Sequence, residues 1–163
     1  MIIELKNKEN LIVKDFIFRC AIGKKGLKKH KIEGDKSTPT GNFKLGHLYY
    51  RADRVKKPKT VLKCIKIKKK MAWCNDSGSS FYNKQVTLNK KFTAEKLYRK
   101  DYKYNYFINI KYNSKLIKPF RGSAIFIHLS KYYKPTAGCV SLKEKDFLIL
   151  AKLLSKNSRI FIS

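Results

Sequence analysis

Apolar residues along this chain recur mostly in short runs rather than in helical stripes. Tyr104, Tyr106, Ile108 and Ile110 alternate with Asn105 and Asn109. Successive side chains of a strand point to opposite faces, so this alternation predicts a strand with one face buried. Leu11–Val13, Phe16–Ala21, Ser123–Leu129 and Arg159–Ile162 are compact runs rich in β-branched and aromatic residues, and they too predict strands. The polar stretch from Gly23 to Gly41, broken by glycines and Pro39, predicts a loop. Pro58, Pro119 and Pro135 mark further breaks. One amphipathic stripe stands out: Phe147, Leu150, Ala151 and Leu154 share one side of a helix. Ser141, followed three residues later by Glu144, has the form of a capping box, with Asn157 as the C-cap. Together they predict a helix from about Lys143 to Leu154. A weaker helical segment starts at Thr93 and runs to Arg99. The balance predicts a mostly β, β-rich α+β fold.

The length of 163 residues fits one domain, 1–163, and is enough to enclose a core. Charge changes the picture more than length does. Lys and Arg number 39 and Asp and Glu 11, so the net charge is +28. One reading is an anionic partner: nucleic acid, an acidic envelope polymer or a membrane surface. The other is a composition rich in lysine without a dedicated partner. Only six of the basic residues are Arg. Sequence-specific nucleic-acid readers depend on Arg for bidentate base contacts, so that partner is disfavoured. The densest basic cluster, Lys66 and Lys68–Lys70 around Ile67, also fits the exposed face of a strand. No apolar run approaches the roughly 18 residues of a membrane span. Glu4 and Glu9 fall within the first ten residues, so no signal peptide is visible. The four cysteines, Cys20, Cys64, Cys74 and Cys139, form no CxxC pair, which argues against a structural zinc site.

The segment from Ile125 to Leu142 carries the chemistry. His128 ends an apolar strand, a loop containing Pro135 follows, and Gly138-Cys139 comes just before the predicted helix cap. A cysteine attacks as its thiolate, so it needs a nearby base or a depressed pKa. An imidazole supplies the first and a helix start supplies the second. Gly138 lets the backbone crowd a substrate carbonyl, and the amides of Gly138, Cys139 and Val140 are candidates for an oxyanion hole. The bland alternatives are a small buried cysteine and a structural histidine. Cys20 and Cys64 sit in apolar stretches and read as core. Cys74 adjoins the polar Asn75–Ser80 loop, which would leave it exposed, but no histidine is near it in sequence. His30 and His47 read as surface residues and Trp73 as core.

Thr136-Ala137-Gly138-Cys139-Val140-Ser141, with His128 upstream, resembles the signature of the L,D-transpeptidase (YkuD-like) catalytic domain. The likeness extends to Gly23–Gly26, to Glu33-Gly34-Asp35-Lys36-Ser37-Thr38-Pro39-Thr40-Gly41-Asn42-Phe43, and to Tyr50–Arg54, Trp73–Asp76, Tyr82-Asn83 and Gly122–His128. These strings resemble a compact bacterial branch of the family. The resemblance implies a YkuD-type β-sandwich with a helix after the catalytic cysteine. Cys139 would be the nucleophile and His128 the base, oriented by a backbone carbonyl at Leu129 or Ser130. The donor would be a peptidoglycan stem tetrapeptide that loses D-Ala and forms a 3→3 crosslink, with no metal or organic cofactor. Two alternatives stay open. One is a hydrolase or amidase of the same fold, L,D-carboxypeptidase-like, and the other is a non-catalytic basic module on anionic wall polymer or nucleic acid. Arg51 either holds a stem carboxylate or pairs with Asp53. Ala137 stands where the usual signature has a second His, and the step from His128 to Cys139 is shorter than usual; both bear on the acceptor. The family's place is the cell envelope or periplasm, which conflicts with the missing signal peptide.

Overall fold

The computed structural model describes residues 1–163. In chain order its strands are β1 (Ile2–Lys6), β2 (Asn10–Val13), β3 (Phe16–Ala21), β4 (Leu27–Lys28), β5 (Thr38–Pro39), β6 (Gly41–Tyr50) and β7 (Cys64–Lys66). They continue with β8 (Met71–Cys74), β9 (Gln85–Thr87), β10 (Ala94–Lys96), β11 (Tyr106–Ile110), β12 (Phe126–Leu129) and β13 (Val140–Leu142). The single helix α1 (Glu144–Leu153) and strand β14 (Arg159–Ile162) close the chain. No helix is long and apolar enough to cross a membrane.

The strands make a sandwich whose two layers share long strands. One layer runs β3-β2-β1-β14-β6. The other runs β3-β13-β12-β11-β6-β7. Strand β6 passes between them: Gly41–Lys44 pair with β14, whereas Leu45–Tyr50 pair with β11. Alternation fills the space between the layers. Ile3, Leu5, Leu11, Val13, Phe18, Ile108, Ile110, Ile127, Leu129, Val140 and Leu142 are all buried in one cluster of 25 residues. Helix α1 closes it with Phe147, Leu150 and Ala151, and Phe147 stacks on Tyr106 at 5.8 Å.

The second layer is covered on its far side as well. The small sheet β10-β8-β9 lies against a separate cluster that includes Tyr49, Trp73, Leu97, Tyr104, Phe107, Phe126 and Cys139. Strand β12 is therefore buried on both faces, with Ile127 and Leu129 toward the main core and Phe126 toward the second cluster. That explains why its sequence is a continuous apolar run rather than an alternation.

Four expectations are corrected. Ser141 is not an N-cap: it lies in β13, paired with Ala21 and His128, and is fully buried. Parallel pairing to β12 and burial of Val140 and Leu142 outweigh the local capping pattern. The helix starts two residues beyond Leu142, with Lys143 at its N-cap making no side-chain bond and Leu154, not Asn157, at its C-cap. Thr93–Arg99 is not helical: Ala94–Lys96 pair with β8 as an edge strand, and Leu97 is buried in the second cluster. The strand within Ser123–Leu129 begins only at Phe126, because Gly122 and Ala124 take positive φ values of 93° and 52°.

Candidate active site

Strands β12 and β13 run parallel with Ile127 opposite Val140 and His128 opposite Ser141. Side chains two apart share a face. This register puts Cys139 on the face that carries Phe126 and His128. Both Cys139 and His128 line one cleft of about 490 Å³, between β12, the Pro135–Cys139 loop, and the loop from Lys31 to Lys36.

Two threonine hydroxyls hold the cysteine's loop. Thr38 Oγ1 accepts the N–H of Gly23 at 2.8 Å and donates to the carbonyl of Gly138 at 2.8 Å. Thr136 Oγ1 donates to the carbonyl of Cys139 at 2.6 Å and accepts the N–H of Gly138 at 3.1 Å. The Cys139 N–H, by contrast, donates to no acceptor on the protein. Gly138 has φ +142°, and a Cβ there would sit 2.9 Å from Ser37 O. Gly23 is tighter still, with Lys36 O 2.5 Å from where its Cβ would lie. The Thr38-Pro39-Thr40-Gly41 string is thus more than a turn. Its first hydroxyl fixes the backbone beside the cysteine.

The Cys139 thiol donates to Ala124 O at 3.3 Å and receives the Phe126 N–H at 3.4 Å. Ala124 is itself pinned, because its N–H donates to Asn83 Oδ1 at 3.1 Å. Asn83 also accepts from Trp73 Nε1 at 2.9 Å and donates to the carbonyls of Tyr112 and Asn113. His128 Nδ1 lies 2.9 Å from Leu129 O. A carbonyl only accepts, so Nδ1 carries the hydrogen and Nε2 keeps its lone pair. No hydrogen bond joins thiol and imidazole in this resting arrangement.

Burial sets the charge state of both groups. It pushes the Cys139 thiol up to about 12, with the Glu95 carboxyl raising it further and the Phe126 N–H and Lys31 opposing. Burial pulls the His128 imidazole down to about 4, against the Leu129 carbonyl that supports its protonated form. The expected help from a helix start is absent. Strand β13 separates Cys139 from α1, so the helix N-terminus does not meet the sulfur. The pair is therefore a neutral thiol and a neutral imidazole.

The cleft wall beyond His128 includes Tyr104, Glu95 and Arg99. The Tyr104 ring meets the His128 ring edge-on at 5.5 Å, and its hydroxyl donates to Glu95. Burial raises the Glu95 pKa. Arg99 is spent on Asp101 through a bond at 2.6 Å. The hydroxyls of Ser123 and Ser141 line the cleft without a protein partner.

The other sequence candidates fall elsewhere. Cys20 is buried, with its pKa pushed up to about 12 by burial and Glu9. Cys64 is half-buried, and Cys74, which the sequence would leave exposed, is fully buried at the end of β8 in the small sheet. Arg51 forms a two-point pair with Asp53 at 2.9 and 2.7 Å, away from the cleft. Trp73 is core. Sequence reasoning missed Asn83 and Lys31 as site residues. A polar residue in a loop has no signal of burial until the fold places it.

The fold is thus a β-sandwich that presents a buried cysteine and a buried histidine in one cleft. The L,D-transpeptidase catalytic domain family (YkuD) matches residues 3–162, and the chain belongs to it. No curated protein matches the sequence. Among solved structures, the helical cell shape determining protein Pgp2 from Campylobacter jejuni is similar at 18% identity and TM-score 0.57. That likeness covers 99% of this chain and 46% of Pgp2. An L,D-transpeptidase from Mycobacterium smegmatis is similar at 12% identity and TM-score 0.42, covering 99% of this chain and 57% of that one. The chain thus spans about half the length of these structures.

Replacing Thr38 by Val keeps the shape but leaves the Gly23 N–H and the Gly138 carbonyl unpaired. Urea denaturation should show a loss of about 1–3 kcal/mol for each group, which Thr38→Ser restores.

The His128 imidazole sits near 4 in the folded chain against an unfolded value of 6.5. The unfolded chain therefore binds the proton first, and stability is full above pH 6.5 and falls toward pH 4. One pKa unit is about 1.4 kcal/mol, so the loss over that window is about 3 kcal/mol. His128→Gln should lack this loss in urea titrations at pH 7 and pH 4. The difference between the two proteins cancels the carboxylates they share.

Proposed function

We propose that the protein is a cysteine acyltransferase acting on peptidoglycan stem peptides, an L,D-transpeptidase in activity as well as in family. The observation that carries this reading is the single cleft holding Cys139 beside His128, whose Nδ1 is tied to Leu129 O so that Nε2 is free to accept a proton. Substrate entry displaces water and lets the thiol leave Ala124 O for the imidazole. His128 Nε2 takes the thiol proton as sulfur attacks the carbonyl of the third residue of a stem tetrapeptide. The Cys139 N–H meets the oxyanion, while Gly138 lends its bare Cα and Val140 fixes the strand behind. The C–N bond then breaks, and D-Ala leaves with the proton from His128. A thioester remains. An amine of a second stem attacks it, His128 takes that amine's proton, and the released thiol completes a 3→3 crosslink.

A thiol and imidazole held neutral suit this sequence of steps. No thiolate waits in the cleft to be alkylated or oxidised, and the base is unprotonated across the ordinary pH range. A net charge of +28 favours anionic surroundings such as an acidic wall polymer. Crosslinking of this kind takes place in the cell envelope, which is where the protein would act.

The test is incubation with purified stem tetrapeptide, following D-Ala release and the peptide products. Release of D-Ala with a crosslinked dimer is expected. Cys139→Ala should abolish it, and His128→Gln should slow it by about 10²–10⁴-fold. Free tripeptide without dimer would make water the acceptor and the protein a hydrolase. No D-Ala release would overturn the reading.

A further inference from the structure

Lys31 sits in the polar loop before β5, where a lysine would ordinarily be solvated. Its side chain is only 3% exposed, and it lines the cleft. Two glycines make room for it. A Cβ on Gly122 would lie 2.8–3.0 Å from the Lys31 stem, and a Cβ on Gly138 would lie 3.4 Å from Nζ. The stem is thus clamped, and the ammonium is fixed one residue away from Cys139.

An ammonium has three N–H donors. One donates to Asp35 Oδ1 at 2.6 Å. The other two meet no acceptor on the protein. Asp35 is itself heavily engaged, by the N–H groups of Ile32 and Ser37 at 2.9 and 3.0 Å and by Lys28 at 3.4 Å. A buried cation with unfilled donors is costly unless something pairs with it. The remaining cations of the cleft are different. Arg99 is committed to Asp101, and Lys36, Lys103 and Lys134 are exposed.

We infer that Lys31 is the subsite for the free C-terminal carboxylate of the donor peptide. This rests on the reading of the protein as an enzyme that releases a terminal D-Ala. In such a donor the carboxylate belongs to the residue next to the attacked carbonyl. In the protein the ammonium adjoins the residue next to the attacking sulfur. One substrate residue spans both offsets. The fixed ammonium therefore selects a bond one residue from the chain end and rejects internal bonds, because an amide at that place brings no charge to it.

The test compares the stem tetrapeptide with its C-terminal amide, measuring release of D-Ala or of D-alaninamide. A charge-assisted bond at a buried site discriminates by about 10–100-fold, so the wild type should prefer the free acid by that factor in kcat/KM. Lys31→Met should lose activity on the acid alone and bring the ratio near one. Lys31→Arg should recover part of the preference. Because the ratio is taken within one variant, partial loss of folded protein does not move it. Equal cleavage of acid and amide by the wild type would overturn the subsite while leaving the acyltransferase reading intact. An equal loss on both peptides in Lys31→Met would assign the ammonium to the oxyanion or to structure instead. Failure of the wild type to release D-Ala from the acid would overturn the reading and the subsite together.

Discussion

Thr38 Oγ1 stands between Gly23 and Gly138, taking a hydrogen bond from one and giving one to the other, both at 2.8 Å. The rest of the cleft depends on this contact. Its two partners are glycines that tolerate no side chain, so the chain passes at residues 23, 38 and 138 approach closer than any other residue would permit. Thr136 adds a second hydroxyl, which shapes the three-residue step from Thr136 to Cys139. The Gly138 N–H is consumed in that step, and the Cys139 N–H is left without an acceptor. Side-chain hydroxyls thus hold this backbone on both sides without help from a helix terminus.

The strand register does the remaining positioning. Parallel pairing of β12 with β13 puts Cys139 and His128 on one face, and the layer behind them is solid core. The face that carries them is packed with aromatic rings, Trp73, Tyr104 and Phe126, which shield the pair on that side. Burial is what makes both groups neutral. The thiol is pushed up to about 12 and the imidazole down to about 4, so a resting ion pair is disfavoured from both sides. In the proposed reaction, activation would come at the moment of attack, as the proton moves from sulfur to Nε2 and the new bond forms.

Local pattern made much of this architecture legible. Phe16–Ala21 and Arg159–Ile162 are strands with the bounds their residues predict, and the stripe Phe147, Leu150, Ala151 buries one side of α1. That Cys139 and His128 line one cleft is consistent with their place in one short segment. What failed was local chemistry overruled by long-range packing. Ser141 has the right neighbours for a helix cap, yet Ala21 and His128, distant in sequence, claim it for a sheet. Thr93–Arg99 reads as a weak helical segment, but three of its residues are needed to pair with β8. Lys31 and Asn83 look like solvated loop residues. Their burial comes from Gly122 and Gly138 in one case and from Trp73, Ala124 and Tyr112 in the other, none of them close in sequence. Cys74 shows the same limit in reverse: a polar loop follows it, but it ends strand β8 inside the small sheet and is fully buried.

The central claim is that the cysteine rests as a thiol. Thiolate absorbs in the ultraviolet where thiol does not, so subtracting the spectrum of Cys139→Ala from that of the wild type isolates this one group during a pH titration. A free cysteine titrates near 8.5 and an activated one at about 3.5–7.5. The account predicts no Cys139 thiolate signal from about pH 6 to pH 9, with ionisation only in strongly alkaline solution. A thiolate that appears at or below pH 7 would contradict it, and would show that the free protein already holds a charged pair.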